Sequence, residues 1–245
     1  NITDCQRALV KMSSLAAAKV LLDAGHEPVC QITCRDRNTI ALQSDFMGAS
    51  ALGIPNILCL TGDPVKVGDN PGAKSVFELE AVGMLHLLKN LQRGQDNSGL
   101  KMNKATQFCV GAVVNPTMRS SNQLQRMEKK IEGGAQFFQT QANYDLDDFE
   151  AFLKEARRLK TKILGGVLVL HSYEIAASIK ENILGVNVPE SLLFRFKGGK
   201  NATEEGIQFA VETMHRIKPY TDGFHLMTVR EEDLIPKVLE AYAKS

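Results

Sequence analysis

FFQTQANYDLDDFEAFLKEA, residues 137–156, contains one whole unit of the fold. Its first part, 137–141, is a short run bounded by turn residues and too short for a helix, which predicts a buried strand. Asp145 and Asp147 then stand where helix caps stand. Phe149, Phe152, Leu153 and Ala156 follow at i, i+3, i+4 and i+7, the apolar face of an amphipathic helix. The same alternation runs outward in both directions. Apolar runs at 29–34, 57–61, 108–114, 163–170 and 224–229 read as further strands. Leu124, Met127 and Ile131 form one helical face, and Leu234, Ile235, Val238, Leu239 and Tyr242 another. The stretches 16–22, 40–52 and 76–91 carry the same helical pattern.

Strand alternating with helix means parallel strands joined by helical crossovers. The starts at 29, 57, 108, 137 and 163 are often spaced by the length of one βα unit. Three stretches break the rhythm: a Gly/Pro-rich loop at 63–73, a polar and mobile one at 95–104, and 188–203. The last, with Pro189, Gly198 and Gly199, reads as an inserted short helix and turn. Strands buried on both faces suit a doubly wound sheet or a (βα)8 barrel. A dinucleotide-binding sheet is expected to show G-x-G-x-x-G after its first strand, and none occurs. The expectation is therefore an α/β fold, a (βα)8 TIM barrel forming a single domain over 1–245. Six strands and a stub at 1–3 fall one short of the eight that a closed barrel needs. The first βα unit is expected to lie before Asn1. The absence of a starting Met also suggests a fragment.

Composition narrows the function. The 245 residues are 44% hydrophobic, enough for a large core. Lys plus Arg number 29 against 28 Asp plus Glu, a net charge of +1, so no basic excess serves a nucleic-acid backbone. No run of 18 apolar residues occurs, and no membrane association is expected. The start shows no basic segment followed by an apolar one, as a signal peptide would. Five cysteines, an odd number with no C-x-x-C, fit neither a disulfide framework nor a zinc ribbon. Cys30, Cys59 and Cys109 sit in apolar runs and read as reduced core residues of a cytoplasmic protein.

In a barrel of this kind the site lies at the C-terminal ends of the strands. Those ends carry Thr3, Thr33-Cys34-Arg35-Asp36, Thr61-Gly62-Asp63-Pro64, Asn115-Pro116, Gln141-Ala142-Asn143-Tyr144, His171-Ser172-Tyr173 and Thr228-Val229-Arg230. They are rich in hydrogen-bonding groups and poor in paired carboxylates. Asp63 either points a carboxylate into the mouth or opens a turn with Pro64. The 68–75 stretch resembles a phosphate loop, but Ala73 separates Gly72 from Lys74, so it reads as a mobile loop. Gly198-Gly199-Lys200 follows no strand and reads the same way. Neither H-E-x-x-H nor G-x-S-x-G occurs. His26, His86 and His215 read as surface or packing residues, and His225 as a structural one. Arg126 and Lys130 lie four apart on one helix face, which is either solvated or a clamp for a cofactor phosphate.

Five segments together resemble the methylenetetrahydrofolate reductase family. They are Ile2-Thr3-Asp4, the 32–38 stretch ITCRDRN, Leu60-Thr61-Gly62-Asp63-Pro64, the 134–145 stretch GAQFFQTQANYD and the 223–230 stretch GFHLMTVR. They occur in the family's order and span almost the whole chain. The resemblance implies a flavin-dependent (βα)8 barrel that reduces 5,10-methylenetetrahydrofolate to 5-methyltetrahydrofolate, a step of one-carbon metabolism and methionine biosynthesis. Hydride would pass from NAD(P)H, or from an electron-transferring partner subunit, to the flavin and then to the methylene carbon of the substrate. The cofactor implied is FAD, with FMN as the alternative.

The resemblance also implies roles for matching residues. Asp63 would serve catalysis, flavin binding and substrate binding by stabilising a substrate iminium. Gln141 would contact folate and nicotinamide. Thr3, Thr61, Gly62 and Asn115 would line the flavin, and Arg126 with Lys130 would hold its phosphates. Thr61 and Gln31 stand where some members carry Arg and His. The family's general-acid glutamate lies on the first strand, so the chain as given is not expected to complete catalysis alone. A homo-oligomer fits the resemblance. So do two other functions: a folate-binding barrel that transfers a methyl group to a corrinoid protein, and a non-catalytic barrel subunit.

Overall fold

The computed structural model describes residues 1–117, 122–182, 186, 188–197 and 201–245. The chain divides into two compact units, Asn1–Val113 with Glu128–Phe137 and Val114–Met127 with Phe138–Ser245. Its strands are β1 (Val29–Thr33), β2 (Asn56–Leu60), β3 (Cys109–Val114), β4 (Phe137–Thr140), β5 (Lys162–Leu168) and β6 (Gly223–Met227). Its helices are α1 (Ser14–Asp23), α2 (Thr39–Ala51), α3 (Ala81–Gln92), α4 (Gln123–Glu132) and α5 (Leu146–Ala156). They continue with α6 (Tyr173–Asn182), α7 (Glu190–Phe196), α8 (Ala202–Ile217) and α9 (Leu234–Lys244).

The sheet order is β1-β2-β3-β4-β5-β6, the order of the chain. β1 pairs with β2, β2 with β3 and β5 with β6, all parallel. A doubly wound sheet reverses its strand order at a switch point. Here the order never reverses, which is the winding of a (βα) barrel. The expected stub is present as a parallel bridge between Ile2 and Cys30. Ile2 N–H donates to the Val29 carbonyl at 2.9 Å, and Gln31 N–H to the Ile2 carbonyl at 3.0 Å.

Every residue of β4 is buried, including Gln139 and Thr140. Burial on both faces, shared by the middle of β2 and β5, explains why those strands read as continuous apolar runs rather than alternating ones; β6 is half-buried throughout. The Thr140 hydroxyl satisfies its own burial by accepting from Gly166 N–H at 2.7 Å. α5 follows the sequence pattern closely. Asp145 caps it by accepting from Asp148 N–H at 3.1 Å, and Phe149, Phe152, Leu153 and Ala156 are buried. α2 is capped likewise by Asn38, whose side chain accepts from Ala41 N–H at 2.9 Å.

The structure departs from the sequence expectation at the start of α3 and at Cys109, and agrees with it in the inserted short helix. The helix expected from 76 begins only at Ala81. Val76 N–H donates to the Arg35 carbonyl at 2.7 Å and Phe77 N–H to the Cys34 carbonyl at 3.2 Å, so that backbone closes over the exit of β1. The 95–104 stretch contains a small turn closed by the Gln95–Lys101 bridge, with Asp96 accepting from Ser98 and Leu100 N–H. Cys30, Cys34 and Cys59 are buried, but Cys109 is exposed. Its apolar run does not bury it because it is the first residue of β3, paired with Asn56 at the strand's entry. The insertion expected in 188–203 contains α7, which buries Leu192, Leu193 and Phe196 in a cluster with Tyr144, Leu170, Ile179 and Phe209. Gly198-Gly199-Lys200 lies outside the described residues. No helix among the described residues is long and apolar enough to cross a membrane.

Candidate functional site

The exit of β2 is shaped by Gly62. Its φ is +94°, and a Cβ there would sit 3.0 Å from Thr33 Cβ and 3.1 Å from Arg35 Cβ. Conformation and space therefore both call for glycine. The tight turn leaves Asp63 exposed at the strand end. Asp63 Oδ2 accepts from Arg7 N–H at 2.8 Å, so the carboxylate reaches a distant loop. The turn that follows is closed by Pro64, whose carbonyl accepts from Val67 N–H at 3.2 Å. Thr61 Oγ1 accepts from Ala81 N–H at 3.2 Å, which caps the start of α3.

The segment that meets Asp63 is unusual. Cys5, Arg7 and Ala8 have φ of 48°, 57° and 53°. Each non-glycine residue in the left-handed region costs about 1–2 kcal/mol, so such a run persists only where its surroundings hold it. Asp69 accepts from Val10 N–H at 3.2 and 3.1 Å. Gly68 lies so close that a Cβ would fall 1.9 Å from the Ala8 carbonyl oxygen. The 68–75 loop is thus anchored on the N-terminal segment.

Beneath this turn lies a buried charge network. Asp4 is 5% exposed and accepts from Thr33 N–H and Thr33 Oγ1, both at 2.9 Å. Arg37 NH1 donates to Asp4 Oδ2 at 2.6 Å, and Arg37 Nε to Asp45 Oδ2 at 2.7 Å. Burial disfavours the Arg37 charge, but the hydrogen bonds and negative charges of Asp4 and Asp45 outweigh it and raise its pKa. Arg35 is 2% exposed. Its Nε and NH2 form a fork on Asp36 at 2.9 and 2.7 Å, and its NH1 donates to the Cys5 carbonyl at 3.0 Å. The fork on Asp36 raises the Arg35 pKa against the opposing effect of burial. Sequence reasoning assigned no role to Asp4, Arg35 or Arg37. The available signal was three charged residues, Arg35-Asp36-Arg37, directly after a buried strand.

Lys130 belongs to the same unit as Asp63. It is half-buried, and its ammonium donates to the Val113 carbonyl at 2.7 Å, near the C-terminal end of β3. Thr3 is half-buried between the Ile2 bridge and Asp4. The first unit therefore contains Thr3, Thr61, Gly62, Asp63 and Lys130, all close to strand ends except the helical Lys130, which reaches one.

The second unit contains the remaining predicted residues, Asn115, Arg126 and Gln141. Arg126 is exposed on α4, so it and Lys130 differ despite their helical spacing. Asn115 is half-buried just after β3. Gln141 is half-buried, and its N–H donates to the Val114 carbonyl at 3.0 Å, fixing it at the end of β4. Asn143 braces the same turn. Its amide donates to the Pro116 carbonyl at 2.7 Å and to Asp148 Oδ2 at 3.1 Å, while its Oδ1 accepts from Asp145 N–H at 3.0 Å. Tyr144 is buried and donates to the Leu168 carbonyl at 3.1 Å; burial pushes its phenol upward. The His225 imidazole, on β6, is pushed down to about 4 by burial, in keeping with a structural role.

Chemically, the first unit offers the exposed Asp63 carboxylate and the Lys130 ammonium at strand ends, and the second offers the amides of Asn115 and Gln141. A carboxylate can stabilise a positive centre, amides can orient a heterocycle, and cations can hold phosphate.

The methylenetetrahydrofolate reductase family model matches residues 1–243. The chain is 25% identical to methylenetetrahydrofolate reductase 2 of Schizosaccharomyces pombe, over 93% of this chain and 37% of that protein. It is 24% identical to the probable methylenetetrahydrofolate reductase (NADPH) of Caenorhabditis elegans, over 95% of this chain and 34% of that protein. The chain thus spans about a third of the length of the curated relatives it matches. Among solved structures, an uncharacterized protein from Clostridium thermocellum that binds two copies of 5-methyl-5,6,7,8-tetrahydrofolic acid superposes with a TM-score of 0.59 at 14% identity. The superposition covers 88% of this chain and 71% of that one, a likeness of fold.

Proposed function

The chain belongs to the methylenetetrahydrofolate reductase family, and from that premise we propose that it forms the flavin- and folate-binding part of an enzyme that reduces 5,10-methylenetetrahydrofolate to 5-methyltetrahydrofolate. The observation that carries this reading is the family match over residues 1–243. The geometry of Asp63 supports it. A carboxylate exposed at the end of β2 and oriented by Arg7 N–H can present negative charge to a bound cation.

The residues present fit a flavin by their chemistry. Lys130 and Arg126 supply positive charge for its phosphates, and Thr3, Thr61 and Asn115 supply neutral hydrogen-bonding groups. The flavin, FAD in this proposal, supplies two-electron carrier chemistry, and a reduced nicotinamide supplies the hydride. The rest is the work of this chain. Asp63 stabilises the iminium that forms when the methylene bridge of the folate opens. Its role is that of a negative charge and not of the proton donor, because a carboxyl that carried the proton would lack the charge that the iminium needs. Gln141, fixed by its backbone at the end of β4, orients the pterin through its amide.

The test uses the full-length protein. It should purify yellow, with a flavin spectrum, and the flavin reduced under anaerobic conditions should reoxidise on adding methylenetetrahydrofolate, with methyltetrahydrofolate as product. A colourless protein that moves a methyl group from methyltetrahydrofolate to a corrinoid would overturn the proposal. So would a flavoprotein whose reduced flavin ignores the folate.

A further inference from the structure

We infer that Arg35 is a positioning residue for Asp63, acting through the left-handed turn at residues 5–8; the inference rests on the role proposed for Asp63. Arg35 is buried behind the turn and has its whole guanidinium engaged. Asp36 holds two nitrogens, which aims the third, NH1, at the Cys5 carbonyl at 3.0 Å. A planar fork fixed on one carboxylate has little freedom to swing, so the direction of NH1 is set.

The turn that Arg35 grips is one the backbone avoids. Cys5, Arg7 and Ala8 all have positive φ. It is held at both ends, by Arg35 on Cys5 and by Gly68 and Asp69 against Ala8 and Val10. Between the two grips, Arg7 N–H points at Asp63 Oδ2 at 2.8 Å. A relaxed turn would have no reason to aim that N–H there. Arg35 also packs against the turn that carries Asp63. Its Cβ lies 3.1 Å from where a Cβ on Gly62 would be, so it packs under the residue that delivers Asp63 to the strand end. One side chain thus braces both the donor that orients the carboxylate and the turn that carries it.

A merely structural Arg35 and a positioning Arg35 differ in whether its effect depends on the Asp63 charge. Arg35→Lys keeps the positive charge and most of the stem but loses the fork. In the full-length holoenzyme we expect Arg35→Lys to slow methylenetetrahydrofolate reduction about tenfold, with KM and flavin affinity close to wild type. In an Asp63→Asn background the same change should cost less than about twofold, because no charge remains to be placed. In 15N-labelled protein the Arg7 amide should exchange its hydrogen about tenfold faster in Arg35→Lys, while the Thr33 amide on Asp4 keeps its protection.

Equal losses in both backgrounds, or an unchanged Arg7 amide, would overturn the inference. If Asp63→Asn alone leaves folate reduction intact, the role of Asp63 fails. The Arg7 amide then still decides whether Arg35 sets the turn. Should Arg35→Lys not fold, Asp36→Asn loosens the same fork from a half-exposed position and should move both readouts in the same direction by a smaller factor. No movement there would count against the inference equally.

Discussion

Removing Arg37 should destabilise the protein more than the loss of any single surface ion pair. Arg37 and Asp4 meet at 2.6 Å with side chains 16% and 5% exposed. In Arg37→Ala the Asp4 carboxylate stays buried, with only Thr33 N–H and hydroxyl as donors. Leaving one partner of a buried pair uncompensated costs about 3–5 kcal/mol. The second partner, Asp45, is 31% exposed and can turn to water, so its loss adds at most about 1 kcal/mol. In a domain of this size each kcal/mol shifts Tm by about 2–4 °C, so Arg37→Ala should melt roughly 6–24 °C below wild type. Asp4→Asn should cost less, because Arg37 keeps Asp45. The double variant Asp4→Asn with Arg37→Met should recover part of the loss, since no buried charge is left unpaired. Thermal melts and denaturant titrations followed by circular dichroism measure all three. A loss below about 1 kcal/mol for Arg37→Ala, or a larger loss for Asp4→Asn, would refute the reasoning.

Two further outcomes follow from the geometry. Lys130→Ala should weaken flavin retention by about 1–3 kcal/mol, the worth of a hydrogen bond to a charged group, read by flavin titration of the apoprotein; unchanged affinity would mean that the ammonium does not hold the flavin. His225, with its pKa lowered to about 4 by burial, binds fewer protons folded than unfolded between about pH 4 and 6.5. Its contribution to stability is therefore present above about pH 6.5 and lost as pH falls toward 4. Denaturant titrations at pH 7 and 4.5 should show a smaller drop for His225→Gln than for wild type, by an amount on the order of 1–3 kcal/mol; equal drops would contradict this.

The sequence exposes the winding of the fold because most strands, β2 and β4 above all, are buried on both faces. Runs such as 57–61 and 163–170 contain too little polarity to be anything else, and α5 has its cap and its apolar face in one short stretch. Gly62 and Asp63 stand out for a related reason, since a glycine and an acid directly after a buried strand mark a turn at the sheet's rim. Tertiary partnerships were not legible. The start of α3 moved to Ala81 because Val76 and Phe77 bond to the exit of β1, far away in sequence. Cys109 looks buried by its neighbours yet sits exposed at the entry of β3. Asp4, Thr33, Arg37 and Asp45 show no spacing that announces a network: the Ile2–Cys30 bridge brings Asp4 to Thr33, while Arg37 comes from the segment after β1 and Asp45 from α2. The left-handed turn over residues 5–8 contains no glycine to advertise it. Its conformation is imposed by Arg35, Asp63 and Gly68 from outside.

The claim that Asp63 stabilises a cationic folate intermediate, without acting as proton donor, meets its most direct test in stopped-flow kinetics of the two half-reactions. Asp63→Asn is nearly isosteric and can still accept from Arg7 N–H, so the fold and the bound flavin should survive. Folate reduction should slow by roughly 10²–10³, the scale of losing one electrostatic stabiliser. Flavin reduction by the nicotinamide should suffer much less, because no cation forms on folate in that step. Equal losses in both half-reactions, or an unchanged rate of folate reduction, would contradict the account and leave Asp63 as an anchor for the turn above it.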